Sequence, residues 1–413
     1  MQVRGSPLIL LKTDHPNATE VKIRGRSIIM NRRTFANFVM AAPWYAAPQA
    51  LDRPGAIVIV GAGVIGASIA YHLAQRGAQV IILEKVRPAS GATGKSFAWI
   101  NASFSKRPRS YYELNFLGIA GWRRLELELG GQLAVQWGGS VEWFPAGAEA
   151  AALKKSVRSH QQWGYPTHLL DEPEFGRLLP HVRPGPLGAA CHSELEGTVD
   201  PLLAVSAILK KAQDLGARLQ CPCRVTGLDL AGGRVRAVQT TDGRIDVATV
   251  VLAGGVDTPP LAAIAGVKVP LKHSPGVLAH TAPRSQMLVR LALAPGAHVK
   301  QHRDGHVVTG ANFGGSPVTD ASKDYGRKLV QRAAQFLPAL DGAPVERVTV
   351  GYRVLPIDGF PILGFAARCP NLYIAAMHSG MTLAPLVGQL AALEILDGAQ
   401  VDLLQPYRLE RFA

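Results

Sequence analysis

The chain has 413 residues and a mass of 44.0 kDa, the length of two or three domains. Hydrophobic residues at 47% and charged residues at 18% exclude a largely disordered chain, and 43 glycines without a G-x-y period exclude collagen while pointing to a turn-rich fold. The formal net charge of +14 raises nucleic acid, an anionic membrane surface or an acidic ligand as partners.

Residues 1–53 hold eight of the basic residues and only three acidic ones. Within them, Asn31-Arg32-Arg33-Thr34-Phe35 precedes a mostly apolar run to Ala47, the pattern of a twin-arginine export signal. The segment is read as an N-terminal extension, with a targeting role as one reading. Cytoplasmic location is expected, and periplasmic export through Arg32 and Arg33 is the alternative. Beyond it, basic residues occur as scattered pairs such as Lys106–Arg107 and Lys210–Lys211, outside any nucleic-acid motif, so no nucleic-acid partner is expected.

From Gly55 the pattern becomes regular. Ala56–Val60 reads as a strand buried on both faces, Val64–Arg76 as a helix ended by Gly77, and Gln79–Leu83 as a second buried strand. Asp200-Pro201 is an N-cap with proline at the first helical position, followed by an apolar stripe of Leu202, Val205, Leu209, Ala212 and Leu215. Residues 218–249 read as a β-meander, Val250–Ala253 as a further buried strand, and 268–350 as strands with turns. Leu372–Ala376 leads through Ser379-Gly380 into a helix from about Thr382 to Leu396. No apolar stretch suits a membrane span, since Gly61, Gly63 and Gly66 break the best one. Four cysteines are too few for a disulfide framework, and Cys221-Pro222-Cys223 lacks the partners of a zinc site, so no metal is expected.

The first helix opens on Gly61-Ala62-Gly63-Val64-Ile65-Gly66, a G-x-G-x-x-G turn with a strand before it and Glu84 ending the next strand. In this context Gly61 permits the turn, Gly63 admits a pyrophosphate, Gly66 brings helix and strand together, and Glu84 faces a ribose diol. Unpaired N–H groups at the helix start complement the phosphates. The fingerprint alone does not separate NAD from FAD. The loop Ala89-Ser90-Gly91-Ala92-Thr93 that follows suits an extended dinucleotide.

The chain from Ala56 onward resembles the FAD-dependent oxidoreductases of the D-amino-acid oxidase type, which include glycine oxidase, sarcosine oxidase and D-amino-acid dehydrogenase. The resemblance rests on the fingerprint with Glu84, the 89–93 loop, Gly197–Pro201, Val250–Gly255, Gly351–Gly364 and Met377–Pro385, in the family's order. It implies an α/β (α+β) fold, a Rossmann-like FAD-binding domain (54–140, 196–256, 350–413) interleaved with a β-rich substrate domain (141–195, 257–349). It implies that Gly61, Gly63, Val64, Ile65, Gly66, Glu84 and Lys85 hold the ADP half of FAD. Ser90, Gly91, Ala92 and Thr93 would line the pyrophosphate and flavin side, Val225 would meet adenine, and Ala253 and Gly254 would back the dinucleotide. Gly380, Met381 and Thr382 would set a helix N-terminus against the flavin, where negative charge develops on reduction.

The implied reaction is oxidation of the CH–NH bond of an amino acid or secondary amine by hydride transfer to flavin, giving an imine that hydrolyses. Arg353 is implied as the carboxylate-binding arginine and His378 as a flavin-side residue lining the substrate space; Trp99 and Asn101 are candidates to face substrate. No cysteine stands near Gly351, so non-covalent FAD is expected. Oxygen, a quinone or a redox protein would accept the electrons, and peripheral membrane contact would use surplus positive charge. Lys95, Lys272 and Lys300 are candidates for a flavin-side lysine, each expected instead to be solvated. The alternatives are an NAD-linked dehydrogenase and a flavin-containing assembly or accessory protein without turnover.

Overall fold

The computed structural model describes residues 55–104, 106–311 and 317–413, together with three short strands within residues 11–31. The chain forms two compact units, Met1–Gln49 and Ala50–Ala413. In the first, Leu11–His15, Ala18–Ile23 and Arg26–Asn31 pair antiparallel in sequence order. The expected extension thus carries a small sheet that the sequence reading did not anticipate. Arg32 and Arg33 lie outside the described residues.

The larger unit is mixed α/β, built on two eight-stranded sheets. In the first, the strand Ala56–Val60 pairs parallel with Val80–Leu83 on one side and with Gly243–Leu252 on the other. Arg218–Gln220 adds parallel to the outer edge of Val80–Leu83. Ile57, Val58, Ile59, Ile81, Ile82 and Leu83 are buried from both sides, as their unbroken β-branched and leucine run requires. On one face lie the fingerprint helix Val64–Gln75 and the helices Arg109–Glu128, Pro201–Asp214 and Gly380–Asp397.

The strand Gly243–Leu252 merges two expected pieces. Its first half closes the antiparallel meander with Arg234–Thr240 and Val225–Ala231, and its second half pairs parallel with Cys369–Ala376. Alternation and continuous burial look like separate strands in sequence, but here one strand changes partners midway. Asn371 sits at the fork: its Oδ1 accepts from Val235 N at 2.9 Å, while Nδ2 donates to Val235 O at 2.8 Å and Ala248 O at 3.0 Å. Asn371→Leu leaves those backbone groups buried without partners. An expected loss of about 3 kcal/mol, one buried bond's cost counted for each group, is checked by denaturant unfolding.

The helix Pro201–Asp214 is capped as predicted, with Asp200 Oδ1 accepting from Leu202 N (2.8 Å) and Leu203 N (2.9 Å). Its buried face is Ala204, Val205, Ile208, Leu209 and Ala212, whereas Leu202 and Leu215 of the expected stripe are exposed. These two stand at the helix ends, where the stripe winds off the sheet.

The second sheet runs in the order Val345–Tyr352, Pro275–Thr281, Val307–Gly310, Ala297–Gln301, Leu291–Ala294, Ser140–Phe144, Ala189–Ser193, Thr167–Leu169. Its first strand carries Gly351 and Tyr352 past the expected boundary at 350. The helix Lys323–Ala334, capped by Ser322 and absent from the strand-and-turn reading of 268–350, covers one face through Leu329, Val330 and Ala333. The other face presents Leu278, Leu291, Leu293 and Val308 to Phe97 and Trp99. A three-stranded ladder of Trp99–Ile100, Gly197–Thr198 and Gln136–Trp137 forms a separate small sheet.

Candidate active site

A cleft of about 530 Å³ runs from the fingerprint turn to the second sheet. Its lining brings together most of the residues singled out in the sequence: Gly61, Gly63, Val64 and Ile65; Glu84 and Lys85; Ser90, Gly91, Ala92 and Thr93; Ala253 and Gly254; Arg353, His378, Gly380, Met381 and Thr382. Gly66 stands one turn below, pressed on the Gly61 carbonyl oxygen. Val225 is not among the lining residues; it packs beside the core of the first sheet. The lining contains no cysteine among the described residues.

At the fingerprint end the geometry is fixed by backbone donors. Glu84 Oε2 accepts from Ala62 N at 3.0 Å and Oε1 from Val86 N at 2.9 Å, which aims the carboxylate along the strand end. Thr93 Oγ1 accepts from Val64 N at 3.2 Å, tying the following loop to the helix start. Lys85 pairs with Asp257 at 2.6 Å.

The opposite end is built around the start of the helix Gly380–Asp397. Its N-cap, Ser379, has φ +59°, a left-handed conformation uncommon outside glycine, and its side chain makes no capping bond. Instead Ser379 Oγ accepts from Lys106 Nζ at 2.6 Å and from Tyr111 OH at 3.0 Å. The cap side chain is drawn away, so the first-turn N–H groups carry positive partial charge toward the cleft. Thr382 Oγ1 accepts from Asn101 N at 3.1 Å, and Trp122 Nε1 donates to Met381 O, so neighbouring elements hold the helix start. Asn101 is only 7% exposed and its Oδ1 has no partner among the described residues.

Arg353 donates through Nη1 to the Pro275 carbonyl and lies flat against Gly276, where a Cβ would come within 2.8 Å of both terminal nitrogens. Among the described residues no carboxylate lies within 4 Å of it, so it is not engaged in an ordinary ion pair. Burial lowers its pKa. His378 is pushed down to about 3 by burial and by the Lys106 and Arg353 charges, so its ring is neutral at working pH.

Two lysines differ from expectation. Lys300 is fully buried rather than solvated, with Nζ donating to Thr198 Oγ1 and Val199 O at 3.0 Å, and burial pushes it down to about 7. Lys106, which the sequence shows only as half of a surface-like basic pair, is 6% exposed, lines the cleft and is pushed down by burial to about 8. Lys95 lines the cleft but is exposed; Lys272 is exposed and donates to Ile357 O at 3.3 Å. Trp99 also lines the cleft, yet its indole N–H donates to the buried Glu196 at 2.8 Å. That carboxylate also accepts from Ala102 N, Ser103 N, Ser140 Oγ and Tyr165 OH. No local signal marks Glu196 as a hub, because its donors come from three segments distant from it in the chain.

The match to a family model decides the assignment: the model described as FAD dependent oxidoreductase covers residues 56–393. The chain belongs to this family. It is an FAD-dependent enzyme, and the NAD-linked and accessory readings are set aside. The chain is 26% identical to glycine oxidase of Pseudomonas putida over 360 residues, 83% of this chain and 95% of that one. It is likewise 26% identical to an opine oxidase subunit from Agrobacterium tumefaciens, over 86% of this chain and 97% of that one. Its fold superposes on the crystal structure of glycine oxidase from Geobacillus kaustophilus with a TM-score of 0.78, at 25% identity, covering 86% and 98% of the two chains. Among the described residues, no helix of this FAD-dependent oxidoreductase is long and apolar enough to cross a membrane.

Buried imidazoles give this flavoenzyme a testable acid response. Burial pushes His280 and His298 down to about 3 and His160 down to about 4. Their folded pKa values lie below the ordinary 6.5, so between those limits the unfolded chain binds more protons. Stability is therefore full above about pH 6.5 and lost as pH falls toward 3. Thermal unfolding midpoints should drop steeply between pH 6.5 and 4, and His280→Gln should flatten the slope; equal slopes would refute the assignment.

Proposed function

We propose that this enzyme oxidises the C–N bond of an amino acid or secondary amine. The observation that carries the reading is Arg353, a half-buried guanidinium without a carboxylate partner among the described residues, in the same cleft as the dinucleotide fingerprint. A guanidinium fork suits a bidentate carboxylate contact. The names of relatives, a glycine oxidase and an opine oxidase, agree with an amine carrying a carboxylate.

The residues present fit FAD. The turn at Gly61 and Gly63 is a cradle that side chains would fill; among the described residues, the first-turn amides of Gly380–Asp397 lack a side-chain cap and the buried Asn101 Oδ1 lacks a donor. When bound, FAD supplies the two-electron acceptor that takes hydride from the carbon beside nitrogen. Gly61, Gly63, Val64, Ile65, Gly66, Glu84 and Lys85 would hold the ADP half, Ser90 to Thr93 the pyrophosphate side, and Ala253 and Gly254 its back. Val225, outside the cleft lining, would meet adenine through backbone atoms. Gly380, Met381 and Thr382 would present N–H groups to the flavin pyrimidine edge, and binding would be non-covalent. Arg353 fixes the substrate, and the neutral His378 offers a hydrogen-bond partner rather than an acid. The N–H proton leaves to solvent. Water then adds to the imine, and the C–N bond breaks to give a carbonyl compound and ammonia or an amine. The FAD-binding segments are 54–140, 196–256 and 350–413, and the second sheet walls the substrate side. We assign the enzyme to the cytoplasm, with periplasmic export through Arg32 and Arg33 as the alternative.

Anaerobic mixing with amino acids and N-methyl amines tests the reading. Bleaching of the visible flavin absorption is expected, and a flavin that no amine bleaches would sink it. Reoxidation of the bleached protein by air-saturated buffer, against a quinone or redox protein, then identifies the acceptor.

A further inference from the structure

The cleft holds two cations that are not exposed, the buried Lys106 and the half-buried Arg353. Lys106 Nζ meets only neutral groups at close range, Ser379 Oγ at 2.6 Å and the Tyr111 ring centroid at 5.4 Å. Among the described residues, neither Lys106 nor Arg353 has a carboxylate within 4 Å. The acid that acts on Lys106 from further away, Glu196, is already taken by five donors. The carboxylates that line the cleft are Glu84, held by two backbone amides, and Asp257, paired with Lys85; both belong with the fingerprint residues. Lys106 and Arg353 also share a neighbour, since both charges act on the His378 ring.

A buried charge without a counter-charge is costly, and two in one pocket add mutual repulsion. The helix start beside them contributes further positive potential. An ordinary amino acid brings one carboxylate and leaves one cation unanswered. We infer that the preferred substrate is an amine flanked by two carboxylates, one seated on Arg353 and the other on Lys106. The class is that of dicarboxylic secondary amines, in which nitrogen joins two carboxylate-bearing carbons. This rests on the amine-oxidation reading and narrows it.

The test compares iminodiacetate with sarcosine, secondary amines that differ by one carboxylate, in anaerobic flavin reduction by the holoenzyme. Iminodiacetate should bind at least about tenfold tighter, and in Lys106→Met the ratio of the two affinities should fall to within about twofold. Malonate and acetate give a readout without turnover. Malonate should perturb the oxidised flavin spectrum at concentrations about tenfold lower than acetate does, a comparison that needs no variant. Equal binding within each pair overturns the inference, as does an equal loss for both amines in Lys106→Met, which would place one shared carboxylate between the cations. Reduction by sarcosine without a preference defeats this inference alone. Reduction by neither amine, nor by any other, defeats the reading beneath it.

Discussion

Gly63→Ala is expected to purify as a folded but colourless protein, whereas Gly61→Ala and Gly66→Ala should lose both colour and stability. The three fingerprint glycines meet different surroundings. Gly61 has φ +107°, which side chains rarely adopt, and a Cβ there would lie 2.5 Å from the Ala253 carbonyl oxygen. A Cβ at Gly66 would collide with the Gly61 carbonyl oxygen. Both obstacles are backbone atoms at the buried junction of the two central parallel strands, so neither can step aside. A cost of about 3 kcal/mol or more is expected for each. A Cβ at Gly63, by contrast, meets only Thr93 Oγ1 at 3.1 Å, the tip of a side chain. The apoprotein should absorb that change with an unfolding midpoint close to the original. What the methyl group takes is the space over the turn, where the pyrophosphate is expected to pass. Flavin content per chain and apoprotein unfolding, measured together, separate the effects. Full flavin content in Gly63→Ala would show that the dinucleotide does not lie on this turn.

The contrast among these glycines also marks where the sequence is readable. The βαβ unit could be read because each piece declares itself locally: a buried β-branched strand, a glycine turn, a helix, a second strand ending in acid. The Asp200 cap and the helix after Ser379 are local in the same way. What escaped depends on contacts between distant segments. Lys106 follows Phe104 and Ser105 in a basic stretch that looks solvated, yet it is buried because Tyr111 and Ser379 close over it from two helices. Lys300 alternates with other residues on a strand of a sheet, and only the ladder at Thr198 and Val199 reveals which face is inside. Asn371 carries no local signal, and its role comes only from the two strands that meet at it. Glu196 is ordinary in sequence and saturated in space. The βαβ unit was therefore legible nearly to the residue. The substrate wall, assembled from ladders between segments far apart, was legible only as β-rich.

Arg353→Met should lower kcat/KM for a carboxylate-bearing amine by roughly 2–4 kcal/mol, about 30- to 800-fold, with most of the change in KM. The guanidinium is half-buried, anchored to the Pro275 carbonyl, and has no carboxylate of its own among the described residues. Removing it deletes the charge that holds the substrate and leaves the substrate carboxylate desolvated without a partner. Arg353→Lys should recover only part of the loss, because an ammonium keeps the charge but not the planar fork. Gly276→Ala reaches the same contact from behind. A Cβ there would stand 2.8 Å from both terminal nitrogens, so the guanidinium must move, while the strand Pro275–Thr281 keeps its pairing with Val345–Tyr352. About a tenfold rise in KM with unchanged flavin content is expected, the size of one weakened charged contact. A carboxylate-free amine of similar size provides the control, since its KM has no reason to follow any of these substitutions. If Arg353→Met leaves KM unchanged for the carboxylate substrate, the anchor lies elsewhere. If it raises KM for the carboxylate-free amine equally, Arg353 shapes the pocket rather than recognising charge.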